Sequence, residues 1–550
     1  VADWLKFDPL KNLDLTKGFS PDREIGEFKG SLSIGWKIGT AISRLLARRR
    51  AQREAEEDIR RERERLHEAL RNPPPIHGSA RWAKAGELEA TGLLRDRSAF
   101  DSPSSLLLGV FPDPGLDGAI GGQLHWDGEG HLITIAPTRS GKSTTAIIPN
   151  LLRYRGSCVV LDPKGELYRA TGAWRRNVGP VYRIAPLVAD TDGFNPFDTV
   201  ETFADARALA SMLMPVDAKA QDFFRKDAVA FLTAAIMFIR EHAPPKHRTL
   251  KELRNLTGGK VERLQDFVTT LAASGVDAYA NPAETFLTKR RESIGTLRDT
   301  FNSELSIWDD PGVARAAGGN LDFRSLKDAP ATVYITVPFD KLDAYAPFLK
   351  VALSSALDGM VRNERLPDIP VLFVLDEFLS LGPFPQFRDA LRTHAGVGVR
   401  LWFFLQDVAT LQEHYPQSWR AFLNAAVKQF FGTNDAYTGE LISTYLLGPT
   451  TYSFLTGGLT IGSAQPTGPD LFGHGGSTSQ SVNLSVGYAQ RPLFTPTEVI
   501  GLLSATLADG TRNAILSVSS HPHPIAGRLV PYFKLPVFQE RIAPPDGAQP

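Results

Sequence analysis

The chain has 550 residues, 42% of them hydrophobic and 22% charged, which is an ordinary soluble composition with enough material for two to four folding units and a large core. Lys and Arg together number 61, as do Asp and Glu, so a global field that draws nucleic acid is excluded and any such attraction must come from local patches. The single cysteine, Cys158, excludes an internal disulfide and reads as a buried strand thiol in a reducing compartment.

No run reaches the roughly 20 apolar residues that a membrane-spanning helix needs. The nearest, Leu32 to Leu46, is interrupted by Lys37 and Arg44 and followed by Arg48-Arg49-Arg50. It fits two arrangements: a helix lying on an anionic membrane surface with Trp36 and Ile34 inserted, or an amphipathic helix packed on the protein or a partner. The chain opens on Val1, which fits an alternative start codon, a processed product or a trimmed one and leaves an upstream anchor open. From Ala47 to Arg71 interleaved charges such as Glu62-Arg63-Glu64-Arg65 predict a long solvated helix, a stalk or linker whose acids cancel much of the field of its arginines. Asn72-Pro73-Pro74-Pro75 stops it.

The stretch His131 to Pro149 orders an apolar strand, a turn and a helix as a phosphate-binding loop requires: backbone N–H groups converge on phosphate and the positive helix end faces it. Ala136, Pro137, Thr138, Arg139, Ser140, Gly141, Lys142, Ser143 and Thr144 form the expected nucleotide contact. Lys142 is expected on the β- and γ-phosphates and Ser143 on Mg²⁺. Ala136 stands where the pattern G-x-x-x-x-G-K-[ST] has its first Gly, a substitution that disfavours positive φ. Pro149 predicts a kink in the helix.

Further strand-like runs end in polar residues. Cys158 to Leu161 leads into Asp162-Pro163-Lys164-Gly165-Glu166, and Val333 to Val337 ends at Pro338. Val371 to Leu375 ends in Asp376-Glu377, one acid to organise Mg²⁺ and its waters and one to act as general base on water. Val399 to Leu405, which contains Arg400, ends in Gln406, an amide suited to sense the γ-phosphate or the lytic water. With runs at Lys428–Thr433 and Ile515–Val518 extending the sheet, this predicts an α/β fold: a RecA-like P-loop NTPase with a doubly wound, mainly parallel sheet. Residues 198–328 have helical periodicity and predict an inserted all-α domain, whose cluster Lys289-Arg290-Arg291 with Arg298 is either a phosphate contact or a solvated face. Thr456 to Tyr488, rich in Gly and Ser and including His474, is expected to lack regular structure. His474, His521 and His523 have no partner ligands at metal spacing. The plan is a charged helical region at 1–75, a nucleotide-binding domain at 76–197 and 329–540, the insert at 198–328 and a disordered tail at 541–550.

An ordered set of motifs resembles the type IV coupling proteins, the TraG-like ATPases of conjugation and type IV secretion. The set is His77-Gly78-Ser79-Ala80-Arg81-Trp82, the phosphate loop, Leu161-Asp162-Pro163-Lys164-Gly165-Glu166, Asn195-Pro196, Ser293-Ile294 with Trp308-Asp309-Asp310-Pro311, Leu375-Asp376-Glu377-Phe378 with Leu381-Gly382, Gln406, and Arg491-Pro492-Leu493. The resemblance implies a homo-hexameric, ATP- and Mg²⁺-dependent DNA translocase. It would deliver relaxase-bound single-stranded DNA, or protein substrates, to type IV secretion channel components at the cytoplasmic face of the inner membrane. It also implies Lys142 and Ser143 on nucleotide and metal, Asp376 and Glu377 as the catalytic acids, Gln406 as sensor, and Arg400 or Arg392 as the arginine reaching a neighbour's γ-phosphate. Members of that family usually carry N-terminal transmembrane helices, where this chain has a charged helix. Two further readings stand beside the motor: a nucleotide-dependent docking platform for protein substrates, and a soluble DNA motor outside secretion.

Overall fold

The structure, a computed structural model, describes residues 34–96, 103–112, 120–214, 223–288, 292–464 and 477–542. Its strands, in chain order, are β1 (Leu94–Arg95), β2 (Leu106–Pro112), β3 (Ile120–Trp126), β4 (Leu132–Ile135), β5 (Cys158–Leu161), β6 (Val181–Ile184), β7 (Thr332–Ile335), β8 (Val371–Leu375), β9 (Val399–Leu405), β10 (Val427–Phe431), β11 (Pro449–Ala464), β12 (Ser477–Pro492), β13 (Arg512–Val518) and β14 (Ile525–Leu529). The chain divides into two compact units, 82–440 with 496–550 and 1–81 with 441–495.

The larger unit is built on one sheet in the order β1-β3-β2-β14-β13-β10-β4-β9-β8-β5-β7-β6. From β10 to β6 neighbouring strands pair in parallel, and from β13 to β1 they pair antiparallel. Every residue of β4, β5, β7, β8 and β9 is buried. That burial explains why these strands read as unbroken apolar runs instead of alternating ones. Buried polar groups fix the register around β4: Trp402 Nε1 donates to Thr134 Oγ1 at 2.9 Å, Thr134 Oγ1 donates to Gln429 Oε1 at 2.9 Å, and Gln429 Nε2 donates to Leu108 O at 2.9 Å. This relay crosses β9, β4 and β10, so the strand that carries the phosphate loop is tied to both neighbours by side chains as well as by its ladder.

Between the adjacent strands β6 and β7 the chain leaves the sheet and forms helices, among them Phe203–Leu213, Phe223–His242, Val261–Ala272, Asp277–Thr288 and Glu292–Glu304. Phe231 is the hub of their core, with ring centroids 5.9 Å from Phe286 and Phe301 and 6.1 Å from Phe267. Arg362, at the end of helix Leu342–Arg362, bridges to Asp205 at 2.5 Å and Glu201 at 3.4 Å and so ties these helices to the one that follows β7. Lys289-Arg290-Arg291 lies outside the described residues, and Arg298 bonds its neighbour Asp299 at 2.7 Å.

The smaller unit holds helix Ile34–Arg71 and the hairpin of β11 and β12. The helix is continuous, and Arg61–Glu57 at 3.7 Å, Arg60–Glu64 at 3.9 Å and Arg65–Glu62 at 3.3 Å form the expected charge ladder. No helix among the described residues is long and apolar enough to cross a membrane. Three expectations are corrected here. Thr456 to Tyr488 is largely strand: Pro449 pairs with Pro492 and the register runs unbroken to Ala464 with Ser477. The alternation in Ser481-Val482-Asn483-Leu484-Ser485-Val486 supplies the period of a strand, which the Gly and Ser content obscures. His474 and residues 465–476 lie outside the described residues. Accordingly 441–495 groups with the N-terminal region, not with the nucleotide-binding sheet, and the boundary at 75 moves to 81. Gly78 explains that shift, because at φ 137° its Cα sits so close to Pro449 that a Cβ would lie 2.3 Å from the carbonyl oxygen. The tail also starts later than 541, since Arg541 donates to Leu152 O at 3.2 Å and stacks on Trp174; residues 543–550 lie outside the described residues.

Thr134→Val strands Trp402 Nε1 and Gln429 Oε1 without partners, so urea unfolding is expected to show a loss of about 1–3 kcal/mol, which Thr134→Ser largely restores.

Candidate active site

The phosphate-loop strand β4, the Gln406 strand β9 and the Asp376-Glu377 strand β8 lie side by side in that order, all pointing the same way. Their three carboxyl ends therefore open on one edge, where parallel sheets place their chemistry.

After β4 the loop closes on itself. Ser140 Oγ donates to Pro137 O at 2.6 Å, while Thr145 N and Oγ1 donate to Gly141 O at 2.9 and 2.8 Å. Positive φ falls on Arg139 at 59° and Gly141 at 89°. Ala136 is not among the residues of positive φ; it donates its N–H to Leu405 O at 2.9 Å and buries its methyl beside Phe431, Ala514 and Leu529. The departure from Gly at this position thus carries no backbone penalty, which corrects the expectation. The helix opens with a π-turn, Ser143–Ile147, followed by Ile148–Arg153, and Pro149 falls in the first turn of that second segment, where a missing N–H is tolerated.

Lys142 Nζ lies 3.1 Å from Glu377 Oε1, and Gln406 Nε2 donates to Glu377 Oε2 at 3.1 Å. Both charges of the Lys142–Glu377 pair are over nine-tenths buried, so water screens them little. Glu377 adopts φ 52°, and with Arg139 it is one of two non-glycine residues of positive φ among the described residues. Such strain is held only where the surroundings over-determine it. Asp376 is buried and its Oδ1 has no hydrogen-bond partner. Burial, then the neighbouring Glu377 charge, push its pKa up to about 7. Ser143 Oγ donates to Glu166 Oε1 at 2.5 Å. A hydroxyl, a carboxylate beside it and an unpartnered buried carboxylate oxygen suit a hard divalent cation that keeps several waters, so the residues fit Mg²⁺.

Of the expected site residues, the structure gathers Lys142, Glu377 and Gln406 into one bonded chain and sets Ser143 on Glu166. Arg400 is corrected. It sits near the amino end of β9, away from the loop, where it is buried, donates to Ser104 O at 2.6 Å and Asp127 O at 2.7 Å, and lies over Trp126. Buried and bonded there, it is not exposed toward a neighbouring copy. Arg392 is exposed in the last turn of helix Pro385–Thr393. Asp162 serves its own helix, accepting from Tyr168 N at 2.8 Å, and burial raises its pKa to about 6.

Two residues were missed. Glu166 was noted only as part of a charged cluster after β5, although that cluster at a strand's carboxyl end was the signal. Gly432, just after β10, has φ 69°, and a Cβ there would lie 2.6 Å from Ser140 Cβ. Only a glycine lets that strand end back the phosphate loop, and nothing in the sequence announces the contact.

A family profile described as Type IV secretory system Conjugative DNA transfer matches residues 81–549. The chain belongs to this family. It is 28% identical to the conjugal transfer protein TraG of Escherichia coli, over 86% of this chain and 79% of that one. It is also 28% identical to protein VirD4 of Rhizobium radiobacter, over 67% of this chain and 54% of that one. Among solved structures, the plasmid coupling protein TrwB in complex with a non-hydrolysable ATP analogue matches with TM-score 0.57 at 18% identity, covering 82% of this chain and 93% of that one. TrwB in complex with ADP and Mg²⁺ matches with TM-score 0.56 at 17% identity over the same shares. These structural matches carry the fold, a RecA-like α/β fold with a mostly parallel sheet. The chain is a type IV coupling protein by family.

Gly432→Ala is expected to leave the coupling protein folded but to weaken nucleotide binding about tenfold by displacing Ser140, read by titration with a fluorescent ATP analogue. The raised pKa of Asp376 sets a pH dependence as well. The unfolded chain ionises this acid near 4 and the folded chain near 7, so ionisation costs stability progressively between those values and fully above about 7. Asp376→Asn should therefore raise the melting temperature of the nucleotide-free protein, with a gain that grows from pH 4 to pH 7 and then levels; a gain independent of pH would contradict this assignment.

Proposed function

We propose that the chain is an ATP-driven coupling protein that recruits single-stranded DNA bound to its relaxase, or protein substrates, and drives them toward a type IV secretion channel. The observation that carries this reading is the Lys142–Glu377–Gln406 chain at the carboxyl edge of β4, β9 and β8. A docking platform that only bound nucleotide would need the loop and Lys142. It would have no use for a strained acid held in place by an amide.

In this reading Lys142 holds the β- and γ-phosphates, Ser143 and Asp376 hold Mg²⁺, and Glu166 orients the Ser143 hydroxyl. Mg²⁺, when bound, neutralises charge on the phosphates. The γ-phosphate competes with Glu377 for the Lys142 ammonium, and the transfer of Lys142 to phosphate frees Glu377 Oε1. Gln406 keeps hold of Oε2, so the freed oxygen keeps its orientation and accepts a proton from the water that attacks phosphorus in line. Gln406 thereby links the acid to the γ-phosphate state. The two TrwB structures with an ATP analogue and with ADP and Mg²⁺ support the same ligands here. The family description supports DNA as cargo. A homo-hexamer, peripheral at the cytoplasmic face of the inner membrane, is the assembly we propose, with the exposed Arg392 as the residue available to a neighbouring copy.

Steady-state ATP hydrolysis by the purified protein, with and without single-stranded DNA, tests the proposal. DNA should stimulate turnover, Glu377→Gln and Lys142→Ala should each lower it at least about a hundredfold, and Glu377→Gln should still bind ATP. Light scattering should report a ring-sized species. Nucleotide binding and assembly without hydrolysis under any DNA condition would favour the docking platform.

A further inference from the structure

We propose that the cavity at the carboxyl ends of β5, β6 and β7 binds one nucleotide unit, its phosphate on Arg169, Arg183 and the Thr336 hydroxyl and its base against Phe339. The cavity has a volume of about 430 Å³, within the range of small-molecule sites. It is distinct from the phosphate loop, none of whose residues lines it, and β5, the lining strand that comes first from β4, lies three strands away, about 14 Å at the usual spacing.

Three cations, Lys164, Arg169 and Arg183, line it, and no carboxylate does. The acids beside these residues are engaged: Asp162 caps its helix, Glu166 receives the Ser143 hydroxyl, and Asp192 accepts from Arg183 N at 2.6 Å. Thr336 is 7% exposed, yet its Oγ1 has no hydrogen-bond partner. A buried hydroxyl without a partner costs free energy unless a ligand supplies one. Arg183 Nε is likewise buried without a partner, and the guanidinium lies over the Tyr168 ring at 4.7 Å, which limits the positions its fork can take. At Gly165, φ 64°, a Cβ would lie 3.1 Å from Arg169 Nη1 and 3.5 Å from Thr336 Cγ2, so any side chain there would fill the cradle between these two groups.

Charge alone would fit a bare anion. Phe339, 57% exposed, and Leu187, 46% exposed, add an apolar wall to the same cavity, and an aromatic face beside cations is the pairing that holds a nucleobase with its phosphate. A unit of a single strand and a free mononucleotide share this chemistry. The site deepens the coupling-protein reading and rests on it for the supply of a strand.

The test is fluorescence anisotropy of a short labelled oligothymidylate on the full chain, with the phosphate loop saturated by Mg–ADP, beside competition by dTMP, thymidine and inorganic phosphate. Arg169→Gln with Arg183→Gln should weaken oligothymidylate about tenfold and flatten the salt dependence by about 0.7 in slope, as expected for the one phosphate they hold. Phe339→Ala should weaken it about fivefold or more, and Thr336→Val about threefold. dTMP should displace the label where thymidine and inorganic phosphate do not. Loss of dTMP binding with oligothymidylate binding intact would assign the site to free nucleotides. Variants that melt like wild type and bind both ligands like wild type overturn the proposal, as does inorganic phosphate competing as well as dTMP. Absence of ATP turnover in wild type would strike the motor reading and leave these binding results standing.

Discussion

The carboxylate of Glu377 receives Lys142 on one oxygen and Gln406 on the other, and this sharing depends on strand order. One strand, β9, stands between the strand of the phosphate loop and the strand of the acids. Two inter-strand steps separate β4 from β8 by about 10 Å, a gap that a lysine and a glutamate reaching toward each other can bridge. The strand in the gap delivers its terminal amide beside them. Were β8 adjacent to β4 the acid would crowd the loop; were it one strand further the ammonium would not reach. The buried Trp402–Thr134–Gln429 relay guards that order, because slipping β4 by one residue would turn Thr134 to the other face and break both bonds.

The strands that carry this chemistry could be read from sequence because they are buried throughout and so appear as apolar runs ending in polar residues. The runs ending at Ala136, Asp376-Glu377 and Gln406 read in that way, and the structure sets their ends side by side. Arg400 shows where the method fails. An arginine in a strand of the motor core resembles an active-site cation, but its partners Ser104 and Asp127 lie almost three hundred residues earlier in the chain, and only the folded topology brings their carbonyls to it. The hairpin was missed for a compositional reason: Gly and Ser lower the strand signal although the side chains alternate. Gly432 was invisible because its role is the absence of an atom, a gap into which Ser140 fits.

Several of the motifs that carry the family resemblance have local mechanical roles. Asp310 caps helix Pro311–Ala316 through Gly312 N at 2.6 Å and Val313 N at 3.1 Å, and accepts from Tyr345 Oη at 2.9 Å. Asp309 takes Arg254 at 2.7 Å. Asn195 caps the turn after it and donates to Arg248 O at 2.9 Å, so the helices between β6 and β7 are pinned where they leave the sheet. These residues shape the frame, whereas Lys142, Asp376, Glu377 and Gln406 lie at the carboxyl edge of β4, β8 and β9.

Cys158 lies inside the sheet, on β5, the third strand from the β6 edge, with both neighbouring strands paired to it. Its thiol is fully enclosed, and burial pushes its pKa up, so the thiolate that alkylating reagents and disulfides require is scarce and out of reach. Because the sequence has one cysteine, a second one introduced at any exposed position becomes the sole reactive thiol of the chain. The protein is thus ready for site-specific probes without prior removal of its own sulfur, and a ring of identical copies would carry one label per subunit at equivalent places.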